Sequence, residues 1–140
     1  MANATYPNIF KIAMAAYLSG KTVKCLLLKT GYTHDPDHDF VDDLTPASFE
    51  LTVSGYSRQE ITNVAATLDT ANNRCKIDGD DVTFTSLVAG ETIVAAVAYV
   101  HLGADDAANP VLGYIDLADV ATNGGNIVIT WNAAGIETVS

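Results

Sequence analysis

Apolar positions recur first at helical spacing and then, over most of the remaining length, in short alternating runs. Ile9, Ile12, Ala13, Ala16 and Tyr17 share one side of a predicted helix over residues 6–18, and Phe10, Met14 and Leu18 make a second side apolar. Thr5 is placed to cap this helix, Pro7 suits its first turn, and Ser19-Gly20 stops it. A helix apolar on two sides needs cover on more than one face.

Residues 21–30 are branched and leucine-rich and predict a strand, which Gly31 ends before a long loop over residues 32–45. Residues 48–55 alternate weakly. Residues 60–69 alternate better, with Thr62, Val64, Ala66 and Leu68 on one side, and Asn72-Asn73 makes a turn. Residues 74–77 and 81–85 flank Asp78-Gly79-Asp80, where the Asp-Gly step predicts a tight hairpin. Residues 91–102 are apolar on both faces, Ile93, Ala95, Val97 and Tyr99 against Val94, Ala96, Ala98 and Val100. That pattern predicts a strand at the centre of a sheet or at an interface.

Asn109-Pro110 opens a further strand through Leu117, and Gly124-Gly125 turns the chain. Ile127, Ile129 and Trp131 then alternate with Val128, Thr130 and Asn132 before a last turn at Ala134-Gly135. The expected fold class is all-β: a jelly-roll-like β-sandwich of about seven to eight strands with one short N-terminal helix. It forms a single domain over residues 1–140, with 1–20 as a helical arm and 21–140 as the sandwich. Val23, Leu27, Ile77, Phe84, Val97, Ile115, Ile129 and Trp131 are its expected core.

Charge narrows the function. The chain carries 17 acidic against 7 basic residues, a formal charge of −10, and its bases are scattered singly. Direct nucleic-acid binding is therefore not expected. Charged residues make up only 17% and apolar residues 49%, the composition of an ordered chain. The apolar run 9–18 contains Lys11 and lacks the pattern of a cleaved leader, and no stretch is long enough to span a bilayer, so no membrane partner is expected. Cys25 and Cys75 fall on the apolar side of their alternating runs and read as buried free thiols.

The densest polar cluster is His34-Asp35-Pro36-Asp37-His38-Asp39 with Asp42-Asp43. Asp35, Asp37 and Asp39 could offer oxygens to a hard cation, but the calcium-loop pattern fails for want of a glycine after the third acid and of a Glu at the twelfth position, which is Pro46. The cluster reads instead as a solvated loop whose Asp and His side chains bond to nearby backbone. His101, on an apolar strand, is the third histidine, and no nucleophile elbow or phosphate loop accompanies it. Neither catalysis, nor a metal, nor a cofactor is expected.

The order of features resembles a family of small structural proteins of tailed bacteriophages. It is carried by a short N-terminal helix, "TVKCLLL", "YTHDPDHDFVDDL", "VSGYSRQ", "LDTANNRCKIDGDDVTF", a hydrophobic strand, "LGYIDL" and "NGGNIVITWNAAGI", over nearly the whole chain. Ser57-Arg58-Gln59-Glu60 departs from it, being more polar than the family's glycine-rich run. The resemblance implies a virion component, foremost a capsid decoration (cement) protein on the capsid exterior, made in the host cytoplasm, with the major capsid protein as partner. It also implies a homo-oligomer, a trimer at local three-fold positions. A tail or fibre accessory is the alternative within the same class.

An assembly role also follows from the residues, since a two-sided apolar strand and helix carry more hydrophobic surface than a thin sandwich hides. The candidate capsid or oligomer contacts are Tyr6, Ile9, Phe10, Ile12, Met14 and Tyr17 on the helix, with Asp35, Asp37 and Phe40 in the acidic loop. The competing reading is a carbohydrate-binding sandwich, for which Tyr32, Tyr56, Tyr99, Tyr114 and Trp131 are the candidate aromatics.

Overall fold

A computed structural model describes residues 6–139 of the chain. Helix α1 (Pro7–Leu18) begins at its proline and ends before Ser19 and Gly20, the latter at φ 70°. Thr5, the expected cap, lies outside the described residues. The chain continues through β1 (Thr22–Lys29), a 3-10 turn (Val41–Leu44), a helical turn α2 (Pro46–Phe49), β2 (Gln59–Ile61), β3 (Ala65–Asp69), β4 (Arg74–Asp78) and β5 (Val82–Phe84). After these come β6 (Thr92–His101), a second 3-10 turn (Asp106–Ala108), β7 (Val111–Ala121), β8 (Ile127–Ile129) and β9 (Glu137–Val139). The fold is the expected all-β, sandwich-like one behind a single N-terminal helix, with nine strands among the described residues rather than seven or eight.

All pairings of these strands are antiparallel. The largest sheet has the order β2-β1-β6-β7, its longest register running from Thr22 opposite His101 to Lys29 opposite Ile93. A three-stranded sheet β3-β4-β9 and a two-stranded ladder β5-β8 complete the set.

Period-two alternation sends neighbouring residues of β1 to opposite faces of the large sheet. Cys25 and Leu27 enter one core with Ala96, Ala98 and Val100 of β6, together with Phe84, Ile77, Ile129 and Trp131 from the smaller sheets and their ends. Leu26 and Leu28 enter a second core with Ala95, Val97 and Tyr99 of β6, closed by Val41 and Leu44 of the acidic loop. Strand β6 is apolar on both faces because it is central and covered on both. Its second face is hidden by the chain's own residues 32–49, so that strand leaves no surplus for a partner.

The loop over residues 32–45 departs from the solvated expectation in this respect. Its acids are exposed, but Val41 and Leu44 are anchors with almost no accessible surface. Residues 48–55 form no named strand; Glu50 makes an isolated bridge to Leu28 and Leu51 donates its N–H to the Leu27 carbonyl.

Two further expectations fail at crossings between sheets. Residues 60–69 are not one strand: β2 ends at Ile61, Asn63 turns the chain at φ 54°, and β3 begins in a different sheet. Asp78-Gly79-Asp80 is likewise not a hairpin, because β4 pairs with β3 and β9 while β5 pairs with β8. Glycine is needed there for closeness: a Cβ on Gly79 would stand 2.8 Å from Cγ2 of Ile61 and 3.1 Å from Cγ2 of Val64. Of the expected core, Val23, Leu27, Ile77, Phe84, Val97, Ile129 and Trp131 are buried. Ile115 is only half-buried, since β7 is the last strand of its sheet.

Candidate docking face

Helix α1 divides into two apolar sides with different fates. Phe10, Met14 and Leu18, spaced by four residues, turn inward onto the first core. Phe10 and Met14 are thus half-buried against the chain's own core, unlike the other candidate contacts on the helix. The other side faces solvent, with Tyr6 80%, Ile9 58%, Ile12 55% and Tyr17 40% exposed. Leu68 of β3, 41% exposed, lies beside Tyr6 in a shallow cleft and extends this face. Large side chains exposed together in this way mark a contact surface more than scattered single ones do.

Opposite charges are divided along the sequence. No acidic residue precedes Asp35, and Lys11, Lys21, Lys24 and Lys29 all lie before it, whereas the rest of the chain holds all 17 acids and only Arg58, Arg74 and Lys76 as bases. Among the described residues, Lys29, Arg58, Arg74 and Lys76 are in ion pairs, with Glu91, Glu50 and Asp106, Asp69, and Asp78. Lys11 and Lys21 stay on or beside the helix, where Lys21 donates from Nζ to the Tyr17 carbonyl at 2.6 Å and lies over the Tyr17 ring. The helix packs on the first core and the acidic loop on the second, so the two lie on opposite sides of the large sheet.

The acidic loop is folded by its own carboxylates. Oδ1 of Asp35 accepts the Asp37 N–H at 3.0 Å, and Oδ2 of Asp43 accepts those of Asp39 and Phe40 at 3.0 and 2.9 Å. Those two amide donors hold the Asp43 carboxyl below the usual carboxylate range. Asp35, Asp37 and Phe40 all remain exposed, and they lie across the sheet from the helix face rather than beside it. The candidate contacts thus fall into two separate surfaces.

Two ion-pair nodes hold these layers in place. Arg58 donates from Nε and Nη2 to the two oxygens of Glu50 at 2.8 and 2.7 Å, and from Nη1 and Nη2 to the two oxygens of Asp106 at 2.6 and 2.9 Å. Tyr56 donates its hydroxyl to Glu50 at 2.7 Å while accepting the Leu27 N–H at 3.1 Å, tying the node to β1. The guanidinium holds the Asp106 carboxyl below its usual range, against the opposing effect of burial. In the second node Glu91 accepts from Lys29 Nζ at 2.6 Å and from the Thr52 N–H and hydroxyl at 2.6 and 2.8 Å. Burial pushes the Glu91 carboxyl up, but Lys29 and the Thr52 donors outweigh it and bring it down to about 2.

Neither node was visible in the sequence, where Arg58 stood out only as a departure from a family pattern. The separation of charge was visible in principle, as the acid-free run before Asp35.

The remaining chemical candidates are absorbed by structure. His34 stacks on Tyr114 with ring centroids 4.2 Å apart, and Nδ1 of His38 lies 3.1 Å from the Tyr32 hydroxyl. His101 ends β6 with its Nδ1 buried and unpaired among the described residues. Among the described residues no group of three or more His, Cys, Asp or Glu side chains is arranged to hold a metal ion. Cys25 and Cys75 are free and buried, and burial pushes the Cys25 thiol up to about 12. Of the aromatics considered for sugar binding, Tyr99 and Trp131 are buried and Tyr56 is committed to Glu50 and Leu27, leaving Tyr32 and Tyr114 partly exposed. No described helix is long and apolar enough to cross a membrane. No protein-family model, curated protein or solved structure matches this chain.

Proposed function

We propose that this chain is a structural protein of a tailed-bacteriophage virion, a decoration (cement) protein that binds the outside of a shell built by a major capsid protein. The observation that carries the proposal is the outer side of α1, where Tyr6, Ile9, Ile12 and Tyr17 are exposed together on a helix whose other side is fixed to the core. Burying such a face gains about 25 cal/mol per Å² of apolar surface, and many copies on a lattice multiply a modest contact. The acidic pole on the far side of the sheet orients the subunit, keeping like charges of neighbouring copies outward and hydrated. The order of sequence features that resembles small phage structural proteins supports the same class.

In this role the protein is an adhesive and not a catalyst. It adds buried area across joints between capsomers and resists the outward pressure of packaged DNA, as a trimer at local three-fold positions. A tail or fibre accessory would use the same helix face on another partner.

Cryo-electron microscopy of the parent virion tests the proposal. Density for this chain is expected on the head, with α1 against the shell; density on the tail alone, with an undecorated head, overturns it. A glycan microarray probed with the isolated protein is expected to stay blank, and a specific signal lost in Tyr114→Ala would favour the carbohydrate-binding reading.

A further inference from the structure

Asparagine is followed by glycine once in this chain, at Asn123-Gly124, in the turn that leads from β7 to β8. We infer that Asn123 is a site of spontaneous covalent modification, whatever the protein docks on: it is deamidated through attack by the next backbone nitrogen. The nitrogen of Gly124 gives its proton to solvent and bonds to Cγ of Asn123. The Cγ–Nδ2 bond breaks, and Nδ2 takes up a proton and leaves as ammonia. Water then opens the cyclic imide at either of its two carbonyls, which yields aspartate or an isoaspartate whose main chain runs through the former side chain. Water is the only co-reactant.

The turn is built for this step. Residues 123–126 are exposed, so water reaches them. Oδ1 of Asn123 accepts the Gly125 N–H at 2.9 Å, which folds the side-chain carbonyl back over the main chain and draws electron density from Cγ. A Cβ on Gly125 would lie 2.9 Å from that oxygen and 3.9 Å from Cγ. Holding the electrophile beside the backbone lowers the cost of closing the ring. Gly124 stands at φ 88°, and a Cβ there would meet nothing within 4 Å, so its nitrogen is unhindered. One tie opposes the step, because the Gly124 N–H donates to the Leu87 carbonyl at 2.7 Å and must first let go. That bond opens locally, well below the cost of global unfolding.

Asn132 supplies the contrast within the same chain. Its Oδ1 accepts the Ala134 N–H, and it too is exposed, but the residue that follows is Ala133, whose side chain crowds the attacking nitrogen. The product at 123 also bears on the fold. Leu87 donates its N–H to the Gly125 carbonyl at 3.0 Å, and Ser86 donates its own to Oδ1 of Asn126 at 3.0 Å. The main chain of isoaspartate is longer by one carbon, which pulls these contacts out of register.

The test ages the full native chain at about pH 8 and maps its peptides by mass spectrometry. Aspartate and isoaspartate are expected at 123, forming at least about tenfold faster than any change at Asn132, a comparison that needs no variant. Anion exchange is expected to resolve a more acidic species, which melts below the parent and which Asn123→Gln never forms, with circular dichroism checking that the variant folds. A native chain that stays unmodified at 123, while the same chain in urea converts there, overturns the inference, because the Leu87 bond would then lock the turn. Equal rates at Asn123 and Asn132 overturn it too, because the glycine and its open surroundings would then decide nothing.

Discussion

Arg58 grips Asp106 across 48 residues of sequence, with its two terminal nitrogens donating to the two carboxylate oxygens, and the same guanidinium holds Glu50 on its other edge. Removing it strands two partly buried carboxylates. Arg58→Ala is expected to cost about 2–4 kcal/mol in urea unfolding, and Arg58→Lys about 1–2 kcal/mol, because an ammonium keeps the charge but cannot form the fork. Equal stability of wild type and Arg58→Ala would refute the structural role of the node.

Stability should fall in acid for a defined reason. The folded-state values of Glu91, about 2, and of Asp106, also lowered, lie below those of the unfolded chain, about 4.3 and 3.9. Both groups therefore contribute stability at neutral pH that is lost as pH falls from about 5 towards 2. Calorimetric melting temperatures should drop over that window, and Glu91→Gln should lower stability at pH 7 by about 1–3 kcal/mol while flattening the acid dependence. A variant with the wild-type slope would remove Glu91 from the account.

The thiols should be silent. Cys25 and Cys75 have no accessible surface, and a thiol pushed up to about 12 is almost wholly protonated near neutrality. Iodoacetamide at about pH 8 is expected to label neither residue in the native protein and both in guanidinium chloride. Rapid native labelling of Cys25 would mean that the first core opens far more often than its packing implies.

Gly79 and Gly103 make a matched pair. Alanine at 79 drives a methyl into Ile61 and Val64, and is expected to destabilise by about 1–3 kcal/mol. At 103 a Cβ meets nothing within 4 Å, so Gly103→Ala should be close to neutral. Thermal melts of the two variants decide the matter.

Periodicity read the helix, β1 and the span of β6 correctly because each is set by residues close in sequence, but a register shift between Ile93 and Ala95 puts Ile93 on the face opposite Ala95, Val97 and Tyr99. The sheet crossings were opaque for the opposite reason. An Asp-Gly step has the same local chemistry whether it closes a hairpin or lets Ile61 pass beneath, and only the partners of β4 and β5 tell the two apart. Asn63 similarly interrupts an alternation that gives no warning of a break. For the candidate site, apolar spacing identified both sides of α1 but not which would face inward, since Phe10-Met14-Leu18 and Ile9-Ile12-Tyr17 are equally apolar in isolation. Leu68, which joins the exposed side, was hidden within an ordinary strand pattern.

Every residue from Ala95 to Val100 is buried, because β6 is sandwiched on both faces. Half-buried strands accept change at every second position. Here three of those six residues are alanines, and a larger side chain at any of them would push one layer or the other outward. A saturation scan should therefore show an unbroken block of intolerance through residues 95–100, where β4 and β5, buried at alternate positions, show a comb. The selective constraint on this stretch is on its thickness, and it would let hydrophobic pattern drift long before it let bulk increase.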